Sequence, residues 1–389
     1  RLAEYAAPIA QHHERAGLPA EAARLYDLAA RRAAEQYKPG VAVDYYRKAL
    51  ELVEDRPQYL DLRLNVQERL GRMLQQQGRL VEALYTFHAM QRLAELDGNL
   101  QGEARAANAL ATVLRELGEH DSALNAAVRA EQLARLSGGD MEWARALRLR
   151  AEAAAQLGRA DEAREAAAAA VERARALVAP RELARALALR AAQDESAAAP
   201  AVAELVALAA ALEERGAADE AAEALTWLGE TQLQRGDMAA AATSLGRALS
   251  LWRAAGDLAG AAEALRLLGL AVCRAGQPEA GVAHLEEAGA LAETTGNRYS
   301  RLLCRLALAE ALLAHDRAEA AEATLLGVIA TAEDGQRLGT WLHLAEAYAL
   351  LAQVLRRQGR GDEATWRDEA TRRDEATRRD EASPPAARR

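Results

Sequence analysis

Small and apolar residues recur along the chain at offsets of four and seven, the spacing that puts them on one face of a helix. With a small residue as the anchor of each unit, Ala83, Ala123, Ala163, Ala201, Ala241, Gly281, Ala321 and Ala364 follow one another at intervals of about 40 residues, and Ala22 and Ala42 stand earlier. Four residues after the anchor come Tyr26, Tyr46, Phe87, Leu205, Leu245, Leu285 and Leu325, and seven after it Ala29, Ala49, Ala130, Ala170, Ala248 and Ala288. Those positions are the expected buried stripe of a second helix. Twelve positions before the anchor stand Ala10, Ala30, Gly71, Ala111, Ala151, Gly229, Gly269, Ala309 and Ala352, with Leu189 as the one bulky member. Small residues at both sites let two helices approach closely, and Gly17, Gly78, Gly118, Gly158, Gly236, Gly276 and Gly359, five before the anchor, supply a turn that tolerates positive φ. The pattern predicts helical hairpins throughout.

Between units the pairs Gly98-Asn99, Gly139-Asp140, Gly256-Asp257 and Gly296-Asn297 recur, glycine to end one helix and Asn or Asp to cap the next. The full signature resembles the tetratricopeptide repeat, with Trp227-Leu228-Gly229 through Ala241, Leu245 and Ala248 as its best example and Leu268-Gly269 through Gly281, Leu285 and Ala288 next. The resemblance implies an all-α solenoid of the tetratricopeptide type. The lengthened period is similar to that of kinesin light chains and of the C-terminal sensor arrays of bacterial signal-transducing ATPases and ATP-dependent transcription activators. Residues Ile9 to Gly17, Ala20 to Tyr26 and Ala42 to Leu52 resemble the segment that follows the ATPase module in those regulators, where a three-helix step leads into the repeats.

Three regions are expected on these grounds: a three-helix step over 1–56, the repeats over 57–361, and a capping helix with a frayed tail over 362–389. The signature decays at 179–217, where Asp194-Glu-Ser-Ala-Ala-Ala-Pro200 replaces the glycine turn. It reads as a divergent repeat or a hinge. In the tail a six-residue unit pairs Asp368 with Arg372 and Glu369 with Arg373 at helical distance, and its period suits no coiled coil.

The composition narrows the possible functions. Apolar residues make up 51% of the chain but aromatics only 4%, so Ala and Leu must fill the core. A formal net charge of −9 disfavours nucleic acid and anionic membranes as partners. The longest apolar runs, such as Ala197 to Ala203, fall short of the roughly 20 residues a membrane span needs, and no secretory leader is evident, which points to the cytoplasm. Neither Lys38 nor Lys48 follows a glycine, which excludes a phosphate-cradling Gly-Lys-Ser/Thr loop. Cys273 and Cys304 stand without a plausible His partner, and His12-His13-Glu14 has poor spacing for chelation, so no catalytic, metal or cofactor site is expected.

Binding is then the expected function. In tetratricopeptide arrays the first helix of each pair lines the concave face. The ligand-facing positions lie three and six before the early small residue, and one, four and five after it. In the first three regular units they are Asn65, Glu68, Arg72, Gln75 and Gln76; Arg105, Asn108, Thr112, Arg115 and Glu116; and Arg145, Arg148, Glu152 and Gln156. Asn65, Arg72, Gln75, Arg105, Asn108, Arg115, Arg145 and Arg148 form the candidate site. Their arginine forks suit a carboxylate or phosphate, so the expected partner is a protein or peptide, acidic in character, or a small anionic effector. The same rule around Ala309 gives Leu303, Leu306, Leu313 and Ala314, an expected apolar end of the groove. Two roles are consistent with this: a sensor or docking segment of a larger bacterial signalling or transcription-regulatory protein, or a freestanding adaptor that assembles complexes or self-associates. The oligomeric state is left open.

Overall fold

A computed structural model describes residues 5–54, 56–334, 341–360 and 363. Every regular element among them is helical. Three helices, α1 (Ala6–Arg15), α2 (Pro19–Glu35) and α3 (Pro39–Glu51), open the chain, and α2 packs against both of its neighbours. After a 3₁₀ turn at Pro57–Tyr59 the repeats follow as antiparallel pairs: α4 (Leu60–Gln76) with α5 (Leu80–Asp97), α6 (Leu100–Glu116) with α7 (His120–Ser137), and α8 (Asp140–Gln156) with α9 (Ala160–Ala176). Next come α10 (Pro180–Gln193) with α11 (Glu195–Glu214), α12 (Ala218–Gln234) with α13 (Met238–Ala255), α14 (Leu258–Arg274) with α15 (Pro278–Thr294), α16 (Arg298–Ala314) with α17 (Ala318–Asp334), and finally α18 (Trp341–Arg357). This is a tetratricopeptide-type solenoid of helical hairpins. The Ala364 anchor and the six-residue repeats of the tail lie outside the described residues.

The packing follows the residue spacing. In α12 the small residue Gly229 receives Leu245 of α13 so closely that an added Cβ would stand 2.4 Å from the leucine Cγ. The glycines expected in the hairpin turns all have positive φ, from 71° at Gly78 and Gly158 to 88° at Gly276. Three residues take the same left-handed conformation without being glycine: Tyr37 (φ 54°), Val178 (φ 51°) and Asp316 (φ 58°). Tyr37 and Asp316 occupy the hairpin turn, five before Ala42 and Ala321, and Val178 an inter-repeat turn. The caps also follow the expected chemistry, since Asn99 accepts from the Gly102 amide at 2.8 Å and Asp257 from the Ala259 and Gly260 amides at 2.9 Å. One expected cap is displaced: Gly138 takes the left-handed turn and Gly139 the cap, so Asp140 is already the first residue of α8 and caps nothing.

The divergent repeat is a change of register. Asp194 caps α11 directly, accepting from the Ser196 and Ala197 amides, and no turn residue separates α10 from α11. The helix-facing small position on α10 is Ala191, buried, 40 residues after Ala151 and as far into its helix, while Leu189 is only half-buried and faces inward. The bulky residue at 189 arises because the missing turn brings the anchor Ala201 to ten residues after Ala191 instead of twelve. By length and composition α11 is apolar enough to cross a membrane, with a mean hydropathy of 1.5, contrary to expectation from the shorter run Ala197 to Ala203. The helix continues well past that run to Glu214, and one face of it, with Ala201, Leu205, Ala209 and Leu212, is buried within the array.

The expected apolar end of the groove is only partly open, with Leu303 half-buried and Ala314 exposed. Leu306 and Leu313 are buried, and the Leu313 carbonyl accepts from Arg357 Nη1 on α18 at 2.5 Å. α18 packs on α16, and the ligand-facing rule does not describe an open surface at Leu306 and Leu313.

Candidate functional site

The first helices of successive pairs converge on one lumen. A cavity of about 380 Å³ is walled by Arg72 and Gln75 of α4, Arg105 and Asn108 of α6, Arg145 and Arg148 of α8, Glu182 and Arg185 of α10, and Tyr299 of α16. A second cavity of about 660 Å³ continues from it past Arg115, Glu152, Trp227 and Glu230 to Glu263 of α14, again with Tyr299 opposite. The array therefore comes round on itself, and α16 meets α4 across the lumen. Seven of the eight candidate residues line these two cavities. Asn65 lines neither, and instead accepts a 2.8 Å hydrogen bond from Arg105.

Each of the five candidate arginines is held by a glutamate. Glu68 accepts from Arg105 and, at 2.5 Å, from Arg72. Arg145 bridges Glu142 at 2.9 Å and Glu182 at 3.1 Å. Arg148 pairs with Glu152 at 2.5 Å and approaches Glu182 at 3.5 Å, and Arg115 reaches the other oxygen of Glu152 at 3.3 Å. Asn108, 6% exposed, donates to the Glu142 carbonyl at 2.9 Å and its carboxylate at 2.8 Å, while Gln75 donates to Glu116 at 2.7 Å. The result is a ladder of alternating charge running from α4 to α10. Its pairing is loose in places: Arg148 Nε and Glu182 Oε2 face each other at 3.5 Å, Arg115 Nε and Glu152 Oε2 at 3.3 Å, and Asn108 Oδ1 is buried with no hydrogen-bond partner among the described residues.

The ladder and the part of the lumen beyond it, on α12 and α14, differ electrostatically. At Glu152 and Glu182 burial favours the neutral acid, but Arg148 with Arg115, and Arg148 with Arg145, outweigh it and hold both carboxyls below the ordinary range. At Glu230 burial dominates, Glu263 adds to it, and Arg266 only partly opposes them, so that carboxyl is pushed up to about 7. Glu263 itself is held down by its 2.6 Å pair with Arg266. Trp227 lies under Arg185, whose guanidinium carbon is 5.4 Å from the ring centre.

Several of these residues were within reach of the sequence frame but were not selected by it. Glu223, Glu230, Glu263 and Arg266 stand six before, one after, six before and three before their small residues Gly229 and Gly269, the same positions that identified the early sites. Arg185 falls on the frame, six before, once the small residue of α10 is Ala191, and Glu182 stands nine before it as Glu142 stands nine before Ala151, outside the rule. Glu142 carries no such signal, and nothing in the repeat marks Tyr299 as facing α4.

The other candidate groups are structural. Glu14, in the His12-His13-Glu14 cluster, accepts from Tyr26 at 2.9 Å and pairs with Lys48 at 3.0 Å. Among the described residues no three His, Cys, Asp or Glu side chains are arranged to hold a metal ion. Both cysteines are buried, and burial with Glu263 nearby pushes the Cys304 thiol up to about 12, far from the thiolate a nucleophile needs.

In sequence the chain matches no family profile and no curated protein. In structure it is similar to the apo form of RapI, with a TM-score of 0.50 at 11% identity over 64% of this chain and 97% of that one. A Rap protein complexed with competence and sporulation factor gives a TM-score of 0.49 at 15% identity over 88% and 99%, and the apo quorum sensor NprR from B. thuringiensis 0.48 at 12% over 88% and 96%. At these identities the likeness concerns the fold alone.

Proposed function

We propose that the lumen binds an extended peptide segment, and that the chain is the sensing or docking segment of a larger signalling or transcription-regulatory protein. The observation that carries the first part is the convergence of α4, α6, α8 and α10 on one cavity with hydrogen-bonding groups of both kinds facing it. A peptide backbone presents donors and acceptors in alternation, and the guanidinium, amide and carboxylate groups that line the lumen can take up both. The second part draws on the resemblance of the N-terminal helices to the step that follows an ATPase module. Acidic side chains or a small anionic effector enter this lumen by exchange with glutamates already there. Exchange is easiest at Arg72, whose side chain is 56% exposed, because exposed pairs contribute only about 0 to 1 kcal/mol.

Short linear peptides selected from a random display library against the immobilised chain provide the test. Enriched sequences should lose about tenfold or more in affinity for Asn108→Leu and Arg148→Met, and none for Tyr85→Ser, an exposed outer position. Equal binding to all three variants would show that the lumen is not the site.

A further inference from the structure

The turn between α2 and α3 reaches across the molecule. Tyr37 donates its hydroxyl proton to the Gly256 carbonyl at 3.2 Å and accepts from the Leu258 amide at 3.0 Å, residues more than half the chain away. Beside it Pro39 packs against Gly296, where an added Cβ would lie 3.1 Å from the proline ring. A Cβ on Gly78, just past α4, would be 3.6 Å from Arg298 Cβ at the start of α16. The seam between α2–α4 and α13–α16 is thus made of turns touching turns, and Tyr37 supplies directed polar contacts across it. The hairpin turn that supplies this contact is one of three where glycine is missing, and tyrosine is held at φ +54° there, a conformation that glycine takes in most of the other repeats.

We propose that this seam is a latch, closed by Tyr37, and that while closed it restricts the lumen to ligands with a free chain end. The inference rests on the lumen being the peptide site. First helices from α4 to α16 surround that lumen, so with the seam shut the ways in are along its axis. A free peptide or a chain terminus can thread along the axis. A segment flanked on both sides by folded protein cannot, and has to pass sideways between α4 and α16. Opening the latch therefore changes the class of partner as well as the rate of exchange.

Tyr37→Gly separates the latch from the fold, since glycine suits the positive φ and should leave the hairpin at least as stable. Spin labels at Lys38→Cys and Ala254→Cys, both exposed, report the seam without any ligand, and the buried Cys273 and Cys304 stay unlabelled. The parent should give one short, narrow distance, Tyr37→Phe a broadened one, and Tyr37→Gly a second, longer component. Identical distributions for parent and Tyr37→Gly, or a long component already dominant in the parent, would overturn the latch whatever the lumen binds. The second arm uses a lumen-dependent peptide from the display selection, offered as a linear chain and as a surface loop of a small folded carrier. The parent should bind the linear form alone, and Tyr37→Gly should bind the loop about tenfold or more tightly than the parent does. Equal binding of loop and linear peptide by the parent would refute the free-end restriction while leaving the lumen site intact. If no enriched peptide depends on Asn108 or Arg148, the underlying site reading fails, and the label distances alone decide the latch.

Discussion

The middle of the array and its C-terminal half pack in different ways. In α12 to α15 the residue four after the anchor is a leucine, Leu245 or Leu285, each essentially inaccessible to solvent and seated on a glycine of the facing helix. In α6 to α9 the same position is Ala127 or Ala167. One buried core runs continuously from Leu147 to Leu355, whereas the cores under α6 to α9 break into small clusters made mostly of alanine. An alanine stripe allows close approach but removes little apolar area from water, and the stabilisation per residue falls with that area. The arginine–glutamate ladder of the lumen stands over this alanine-packed section, and Trp143 adds a clamp outside it between Arg135 and Arg173, 4.7 and 4.0 Å from its ring centre. Where apolar packing is thin, charged and aromatic contacts tie one repeat to the next.

The contrast is sharpest in the leucine section. Leu245→Ala should cost about 2 to 5 kcal/mol, the range for truncating a buried leucine whose surroundings cannot collapse. Gly229→Leu, across the same contact, should cost about 1 to 3 kcal/mol by overpacking. Equilibrium denaturation measures both. A midpoint unchanged by either variant would mean that Gly229 and Leu245 do not meet, and that the repeat frame is wrong.

Repeat phase was readable because it is written in glycines and in a small-to-large register that any helix pair must obey. Left-handed turns at Tyr37, Val178 and Asp316 were not, since no residue there advertises positive φ, and local backbone hydrogen bonds at the helix ends close them. The ladder was half readable. The frame placed Arg72, Arg105, Arg115, Arg145 and Arg148 on the inner face, and Arg72–Glu68, Arg145–Glu142 and Arg148–Glu152 follow from spacing within one helix, whereas Arg105–Glu68, Arg115–Glu152 and Arg145–Glu182 depend on distances between repeats. Closure of the array was unreadable for a related reason. Superhelical pitch accumulates small rotations at every helix contact, and the meeting of Tyr37 with Gly256 is their sum.

The two sections should also respond oppositely to pH. Glu152 and Glu182 lie below the ordinary carboxyl range, so their contribution to stability is present above that range and is lost as pH falls through the folded values. Glu230, raised to about 7, has the reverse sign: its contribution is full below the ordinary value of 4.5 and is lost as pH rises through 7. Glu230→Gln should then match the parent at about pH 5 and exceed it in stability at about pH 8. A constant difference between the two proteins across that window would show that Glu230 is not the group responsible.

The smallest expected effect separates the inner ladder from the outer surface. Arg175 on α9 pairs with Glu204 on α11 at 2.9 Å, with both side chains more than a third exposed. Arg145 pairs with Glu182 at 3.1 Å, but here the carboxylate side is only 12% exposed and already carries Arg148 as a second partner. Water and salt screen the first pair far more than the second. Double-mutant cycles with alanine, read by denaturation, should give the outer pair a coupling of about 0 to 1 kcal/mol that disappears in molar salt. The inner pair should keep most of its coupling in the same salt, because ions cannot gather around a carboxylate enclosed by α8 and α10. If the two cycles lost their coupling in parallel, the lumen would be as open to solvent as the outer face. The ladder could then not compensate for the weak alanine packing beneath it.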